Sequence, residues 1–466
     1  MNNRLCVINP ATETLITELP VDTPAAIAAK VTAAHAAQPA WAARPLSDRL
    51  ACLARFRGLL VQRADDLAAT LTQETGKPIT QAKNEILATP ARIDYVIQHT
   101  AALLELTLAH REPAAALPGT GSLEEYITYE PLGAIANISA WNYPYFVGIN
   151  VIAPALATGN AVLYKPSEVA TMTGLAITSL LHEAGVPEDV FTPIIGTGTA
   201  GAALLEQPLH GVYFTGSYPT GQKIAAAAAA QMMRVQLELG GKDPAYVCED
   251  VDVMAAAAGL ADGAFYNNGQ SCCAVERIYV HAAIYDTFVE QFVAAVQGFK
   301  LGEPTDPATY LGPLSRRPQL AVVQQQVDDA VAKGAVVQCG GKPVERAGWY
   351  FAPTVLTSVT HDMAVMRQET FGPVIGIQRV DSDADAVALM NDTDYGLTAA
   401  VYSGDRQRAV RIIGQLDTGS AYWNCCDRVS PRLPWSGRRH SGVGVTLSQA
   451  GIRAFVQPRA WHLRHR

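Results

Sequence analysis

Three residues of this 466-residue chain could do chemistry together: a cysteine, a carboxylate and an amide, each in a turn-like setting. Cys272 lies in Asn268-Gly269-Gln270-Ser271-Cys272-Cys273-Ala274. A thiolate there would attack a carbonyl carbon, as thiolates do when their pKa is lowered. Glu238 opens Glu238-Leu239-Gly240-Gly241-Lys242 at the end of an apolar run, where two glycines leave room for a ligand to come close. It could activate the water that hydrolyses a thioester. Asn142, in Trp141-Asn142-Tyr143-Pro144, carries an amide able to donate to an oxyanion. Each alone also fits a bland role: a buried thiol, a solvated loop carboxylate, a turn Asn. Together they are the minimum set for covalent oxidation of an aldehyde, with hydride leaving to a cofactor.

Cofactor signals are spread along the chain. Lys165-Pro166-Ser167-Glu168 follows the apolar run Ala161–Tyr164, a place where parallel sheets bind nucleotides. A carboxylate there accepts both hydroxyls of a ribose and repels a 2′-phosphate, which favours NAD over NADP. Gly196-Thr197-Gly198-Thr199-Ala200-Gly201 follows the next run, although such glycines serve tight turns as often as phosphates. Gly216-Ser217, with Gly221, opens a helix after Phe214, and small residues at a helix N-terminus can face a pyrophosphate.

The elements that must position these residues alternate. Strands are expected at Gly133–Ile138, Ala161–Tyr164, Phe191–Ile195, Gly211–Phe214 and Val235–Leu239, with helices near Met172–Ala184, Ala200–Glu206 and Thr220–Met232. This alternation predicts a parallel sheet covered by helices. A second α/β block follows Gly240-Gly241, with strands near Ala245–Val247, Arg277–Val280 and Ala335–Val337 and helices near Asp252–Tyr266, Ile284–Val296 and Gln319–Lys333. The first hundred residues read as helices: Thr23-Pro24 is a cap with a first-turn proline, and Leu50, Leu53, Phe56 and Leu60 share one face.

These motifs, in this order, resemble the aldehyde dehydrogenase superfamily over essentially the whole chain. The resemblance rests on Trp141–Pro144, Lys165–Glu168, Phe214–Ser217, Glu238–Lys242, Gly269–Cys272 and Glu369-Thr370-Phe371-Gly372-Pro373, with Glu238 and Cys272 34 residues apart. It implies that Cys272 forms a thiohemiacetal, that Asn142 and the Cys272 N–H hold the oxyanion, and that Glu238 releases the acid by hydrolysis instead of passing it to CoA. It implies cofactor contacts for Trp141, Lys165, Ser167, Glu168, Gly198, Gly201, Phe214, Gly216, Ser217, Gly221, Leu239, Glu369 and Phe371. A substrate funnel would be lined by Tyr143, Asn150, Tyr266, Ser271, Cys273, Val429 and Trp435. The fold implied is α/β: a Rossmann-type cofactor domain (1–113 and 132–240), an α/β catalytic domain (241–440) and a small β bridging element (114–131 and 453–466). Family members use that element to form homodimers or homotetramers. The C-terminal run departs from the family pattern, reading Pro434-Trp435-Ser436-Gly437 and Ser441-Gly442-Val443-Gly444-Val445-Thr446 where an acidic residue is usual.

Composition narrows the partners. The formal charge is −8, against a nucleic-acid or membrane-surface binder. From Arg428 onward there are eight Arg and no Asp or Glu, so the residues before carry −16. No apolar run reaches a membrane span and Met1-Asn2-Asn3-Arg4 does not begin a signal peptide, so a cytoplasmic location is expected. The eight Cys show no metal-ligand spacing, and no metal is expected. The aromatic funnel suits a medium-sized apolar or aromatic aldehyde; Arg428 and Arg432, flanking Val429, suit a semialdehyde whose carboxylate they would bind. A remoter alternative is a non-catalytic binding protein on the same fold.

Overall fold

The computed structural model describes residues 4–113 and 121–465; the start of the expected bridging segment, 114–120, lies outside them. Five helices come early, Pro24–Ala43, Leu46–Gln62, Ala64–Thr75, Ile79–Ala88 and Pro90–Leu104. The Thr23 hydroxyl accepts from the Ala26 N–H, and Pro24 occupies the first turn, where its missing N–H costs nothing. Gly76 ends the third helix at φ +76, a left-handed geometry that glycine takes without a steric penalty. Leu53, Phe56 and Leu60 are buried in one core with Ile135 and Val162 of the adjacent sheet. A hairpin, Arg4–Ile8 with Leu15–Pro20, precedes the helices where none was expected. Its second strand buries no residue fully, so it carries no apolar alternation to read.

The first sheet has six strands. Arg234–Glu238, Gly211–Thr215, Ala134–Ile138, Ala161–Lys165 and Phe191–Pro193 lie parallel in that order, and Gly442–Val443 adds antiparallel beside Arg234–Glu238. The chain leaves the central strand Ala134–Ile138 first to one side and later to the other. Such a switch point opens a crevice at the C-terminal strand ends. Asn142, Lys165, Gly216 and Glu238 all follow or end strands on that side.

The second sheet runs Val336–Cys339, Thr354–Thr357, Val374–Val380, Arg277–His281, Pro244–Val247, Thr398–Tyr402, Ser420–Trp423, parallel except at its first pair. Four of these strands were not foreseen; each is a run of only four to seven residues, and the helices between them are themselves only four to nine residues long. A third sheet joins Thr107–Glu112, Ser122–Pro131 and Val456–His465, all antiparallel. The bridging element thus gains a strand that lies before residue 114, where the sequence reading began it. The basic tail pairs with acids of its own chain: Arg459 with Glu130 at 3.0 Å, and Arg438 and Arg439 with Asp417 at 2.9 and 2.7 Å. Exposed pairs of this kind stabilise by only ~0–1 kcal/mol each. Among the described residues no helix is long and apolar enough to cross a membrane.

Candidate active site

A cleft of about 1010 Å³ opens at the switch point, and Cys272, Glu238 and Asn142 all line it. Cys272 is half-buried in a turn that its own motif builds. Asn267 and Asn268 take positive φ, +53 and +58, which Asn tolerates better than most residues. The Asn268 amide donates to the Gly312 and Pro313 carbonyls at 2.6 and 2.9 Å, and Gln270 Oε1 accepts from the Ser315 N–H at 3.0 Å. The turn is therefore pinned from both sides. Asn142 Nδ2 donates to the Gln270 carbonyl at 3.1 Å, which orients the amide on the cleft wall and uses one of its two N–H groups.

Cys273 is tied down. Its thiol donates to Asp427 Oδ1 at 2.8 Å, and the adjacent Cys272 thiol and burial push its pKa well above the ordinary value. Cys273 therefore stays a thiol, which leaves Cys272 as the candidate nucleophile of the pair. Burial also lifts Asp427 to about 6. No sequence signal pointed to Asp427, 154 residues from its partner.

Glu238 ends its strand and is only 6% exposed. Its Oε1 accepts from Gln236 Nε2 at 2.9 Å and from the Thr446 hydroxyl. Thr446 thus stands in the run that departs from the family pattern and holds the carboxylate directly. Gly442 makes this possible: φ is +133, and a Cβ there would sit 2.0 Å from the Leu237 carbonyl oxygen. Burial raises the Glu238 pKa, making it a stronger proton acceptor once ionised.

Of the expected cofactor residues, all but Gly221 line the same cleft. Gly221 packs behind it: a Cβ would lie 2.7 Å from the Leu239 side chain. Gly198 begins the helix Gly198–Leu205 and Ser217 precedes Tyr218–Ala230, so two helix N-termini open into the cleft. Lys165 is buried, its ammonium pushed down in pKa by desolvation, and Glu168 stands 3.9 Å from it. Phe371 takes φ +50 and meets Trp141 edge-on at 5.6 Å. The adjacent Glu369 carboxylate accepts from the Gly241 N–H at 3.1 Å and is lifted to about 8, by burial first and by Glu276 next. A Cβ on Gly240 would lie 2.4 Å from that carboxylate. A crevice with a glycine floor, two helix N-termini and a buried lysine suits a dinucleotide.

The loop carrying Glu369 and Phe371 hangs on a residue the sequence reading missed. Glu276 accepts from the Thr370 N–H at 2.8 Å and the Phe371 N–H at 3.0 Å, and from Lys242 Nζ at 2.5 Å. Lys242 also donates to Thr370 Oγ1 at 3.0 Å. Lys242→Met should therefore leave Glu276 a buried, unpaired carboxylate and loosen the loop. The expected result is a cofactor KM raised by about tenfold with a lowered melting temperature, read from initial rates and thermal unfolding. An unaltered cofactor KM would separate this pair from the loop.

The expected funnel residues divide. Cys273, Trp435, Leu397 and Leu447 form one apolar cluster with Cys272 and Val429 against it, so Trp435 is buried beside Cys272 instead of standing at an open entrance. Ser271 Oγ is 3.4 Å from Cys273 Sγ. Tyr143 stacks on Phe146 at 5.8 Å, and Lys77 Nζ lies over the Tyr143 ring, 3.8 Å from its centroid. Tyr266 turns towards Tyr310 and accepts from Asn84 at 3.4 Å. Asn150 is already engaged: its Oδ1 accepts from Arg92 Nε at 3.1 Å. Arg428 and Arg432 are both exposed. The guanidinium buried near the site is Arg92, from the helix Pro90–Leu104, which lies over the Phe146 ring at 3.7 Å.

Comparison with known proteins agrees with this geometry. The family model described as Aldehyde dehydrogenase family matches residues 1–461. The chain is similar to "Succinate-semialdehyde dehydrogenase [NADP(+)] 1" of Mycobacterium ulcerans (strain Agy99), 37% identical over 398 residues, which cover 85% of this chain and 86% of the relative. Among solved structures it is similar to lactaldehyde dehydrogenase from Escherichia coli, with TM-score 0.94 and 34% identity, covering 99% of this chain and 96% of that one. It is also similar to PnpE in complex with nicotinamide adenine dinucleotide, with TM-score 0.94 and 32% identity over 99% and 94% of the two chains.

Proposed function

The chain belongs to the aldehyde dehydrogenase family, and on that premise we propose that it oxidises a carboxylate-bearing aldehyde, a semialdehyde, to the acid with NAD(P). The observation that carries the reaction is the convergence of Cys272, Glu238 and Asn142 on one cleft. The Cys272 thiolate attacks the aldehyde carbon, and the spare Asn142 N–H stabilises the oxyanion of the thiohemiacetal. The two helix N-termini and the Glu369–Phe371 loop would hold an oxidised nicotinamide cofactor, which would accept the hydride whose loss turns the thiohemiacetal into the Cys272 thioester. Glu238 then takes a proton from water, which hydrolyses the Cys272 thioester and frees the acid. Gln236 and Thr446 hold Glu238 against the cleft wall while it waits.

The substrate class is supported by the name of the semialdehyde relative. A second reading, an apolar or aromatic aldehyde, is favoured by the stacked Tyr143 and Phe146. Kinetics across succinic semialdehyde, hexanal and benzaldehyde separate them. At least about a tenfold higher kcat/KM for the semialdehyde is expected. The reverse order would overturn the substrate class, and absence of turnover with every aldehyde would favour the non-catalytic reading.

For the cofactor we infer NAD over NADP, because a half-exposed carboxylate on this cleft, Glu168, would repel a 2′-phosphate brought next to it. The relative's name, and Lys223 on the same cleft, support NADP as the second reading. Glu168→Ser should shift the NADP/NAD ratio of kcat/KM upward by about tenfold, the size of one carboxylate–phosphate repulsion in a partly screened site. An unmoved ratio would remove Glu168 from the ribose. We assign cofactor binding to 1–113 and 132–240, catalysis to 241–440, and subunit contact in a homodimer or homotetramer to the three-stranded sheet, whose strand Val456–His465 is exposed along nearly all its length.

A further inference from the structure

Arg92 is 6% exposed, yet its only side-chain hydrogen bond among the described residues runs from Nε to Asn150. Its two terminal amino groups have no hydrogen-bond partner there, although a buried guanidinium normally fills its fork. The nearest buried carboxylate cannot serve. Glu85 is used up by Lys77 Nζ and by the N–H groups of Tyr145 and Phe146. Desolvation holds the Arg92 pKa down to about 10, and the titratable groups close enough to act on it are Glu85, Cys273 and Glu238. Arg92 therefore sits within electrostatic reach of both the nucleophile's neighbour and the base. The space beside it, bounded by Asn150, Pro431 and Leu447, is about 10 Å³. That is room for about one water-sized group, such as a carboxylate oxygen, and not for a ring.

We propose that Arg92 is the residue that reads the substrate's carboxylate. This rests on the semialdehyde reading above and moves recognition from the exposed Arg428 and Arg432 to a buried fork. Asn150 orients the fork through Nε, Phe146 supports its face, and the vacant N–H groups take one carboxylate oxygen in a desolvated, charge-assisted contact. Leu447, which bounds this space, also belongs to the apolar cluster against which Cys272 packs, so the aldehyde end of a short chain would extend towards Cys272. Arginine's planar fork makes the recognition geometric as well as electrostatic, so a lysine at this position would replace it only in part.

The test is the ratio of kcat/KM for succinic semialdehyde over pentanal, in the wild type, Arg92→Gln, Arg92→Lys and Asn150→Asp. Arg92→Gln should lower the ratio by at least about thirtyfold, mainly through KM for the semialdehyde, with partial recovery in Arg92→Lys. Asn150→Asp keeps the arginine and its packing but supplies an internal counter-charge, so it should lower the ratio in the same direction. It keeps the inference testable if Arg92→Gln fails to fold. A wild type that prefers the semialdehyde, combined with variants that lower both substrates alike, would overturn the role of Arg92 and leave the proposed function standing. A wild type with no such preference would overturn the substrate class, and this inference with it.

Discussion

Cys272→Ala should abolish turnover, by on the order of 10⁴-fold or more, while leaving nucleotide binding in place. The size follows from what the thiol does: without it no thiohemiacetal forms, and the free aldehyde, its carbonyl carbon still trigonal, gives up hydride too slowly to sustain turnover. Selectivity follows from the surroundings. Cys273 is the only adjacent candidate, and its hydrogen bond to Asp427 together with its raised pKa keeps it from substituting. Retained binding follows from the cleft, whose glycine turns, helix N-termini and Glu276-anchored loop do not depend on the thiol. Steady-state assays with a cofactor titration by fluorescence check both halves. Substantial residual turnover would remove Cys272 from the reaction.

Glu238→Gln should slow release of the acid by about 10²–10³-fold, the range a positioned general base supplies. Acylation precedes that step, so a burst of reduced cofactor equal to the enzyme concentration should persist before a slow steady state. The pH dependence carries a sign. The base works deprotonated and burial has raised its pKa, so kcat of the wild type should rise as pH climbs through that raised value. Gln at 238 cannot titrate, and the rise should disappear. A retained steady-state rate, or a retained pH limb, would assign deprotonation of water to another group.

Much of this site is legible in the chain because its motifs are local. Asn268 and Gln270, the side chains that pin the turn around Cys272, stand in the same heptapeptide as the thiol, although the backbone groups they bond belong to Gly312, Pro313 and Ser315. Lys165–Glu168 and Gly216-Ser217 follow apolar runs whose strand character is plain, and twelve of the thirteen expected cofactor residues line one cleft. What resists reading is tertiary. Thr446 meets Glu238 across 208 residues, through a strand of only two residues that Gly442 permits. Glu276 anchors the Glu369–Phe371 loop from 94 residues away and, in sequence, is one more carboxylate before a strand. Arg92 lies in an ordinary helix, and nothing in its spacing marks it as facing inward to Asn150. The second sheet was half seen for a related reason. Runs such as Thr354–Thr357 are short enough that only their neighbours in the sheet make them strands.

The measurement that bears most directly on the central claim is mass spectrometry of Glu238→Gln mixed with aldehyde and oxidised cofactor, then quenched in acid. The account predicts one added acyl group per chain, on the peptide containing Cys272, because the thioester forms at the normal rate and waits for a base that is gone. No adduct, or an adduct carried by a cysteine other than Cys272, would contradict it.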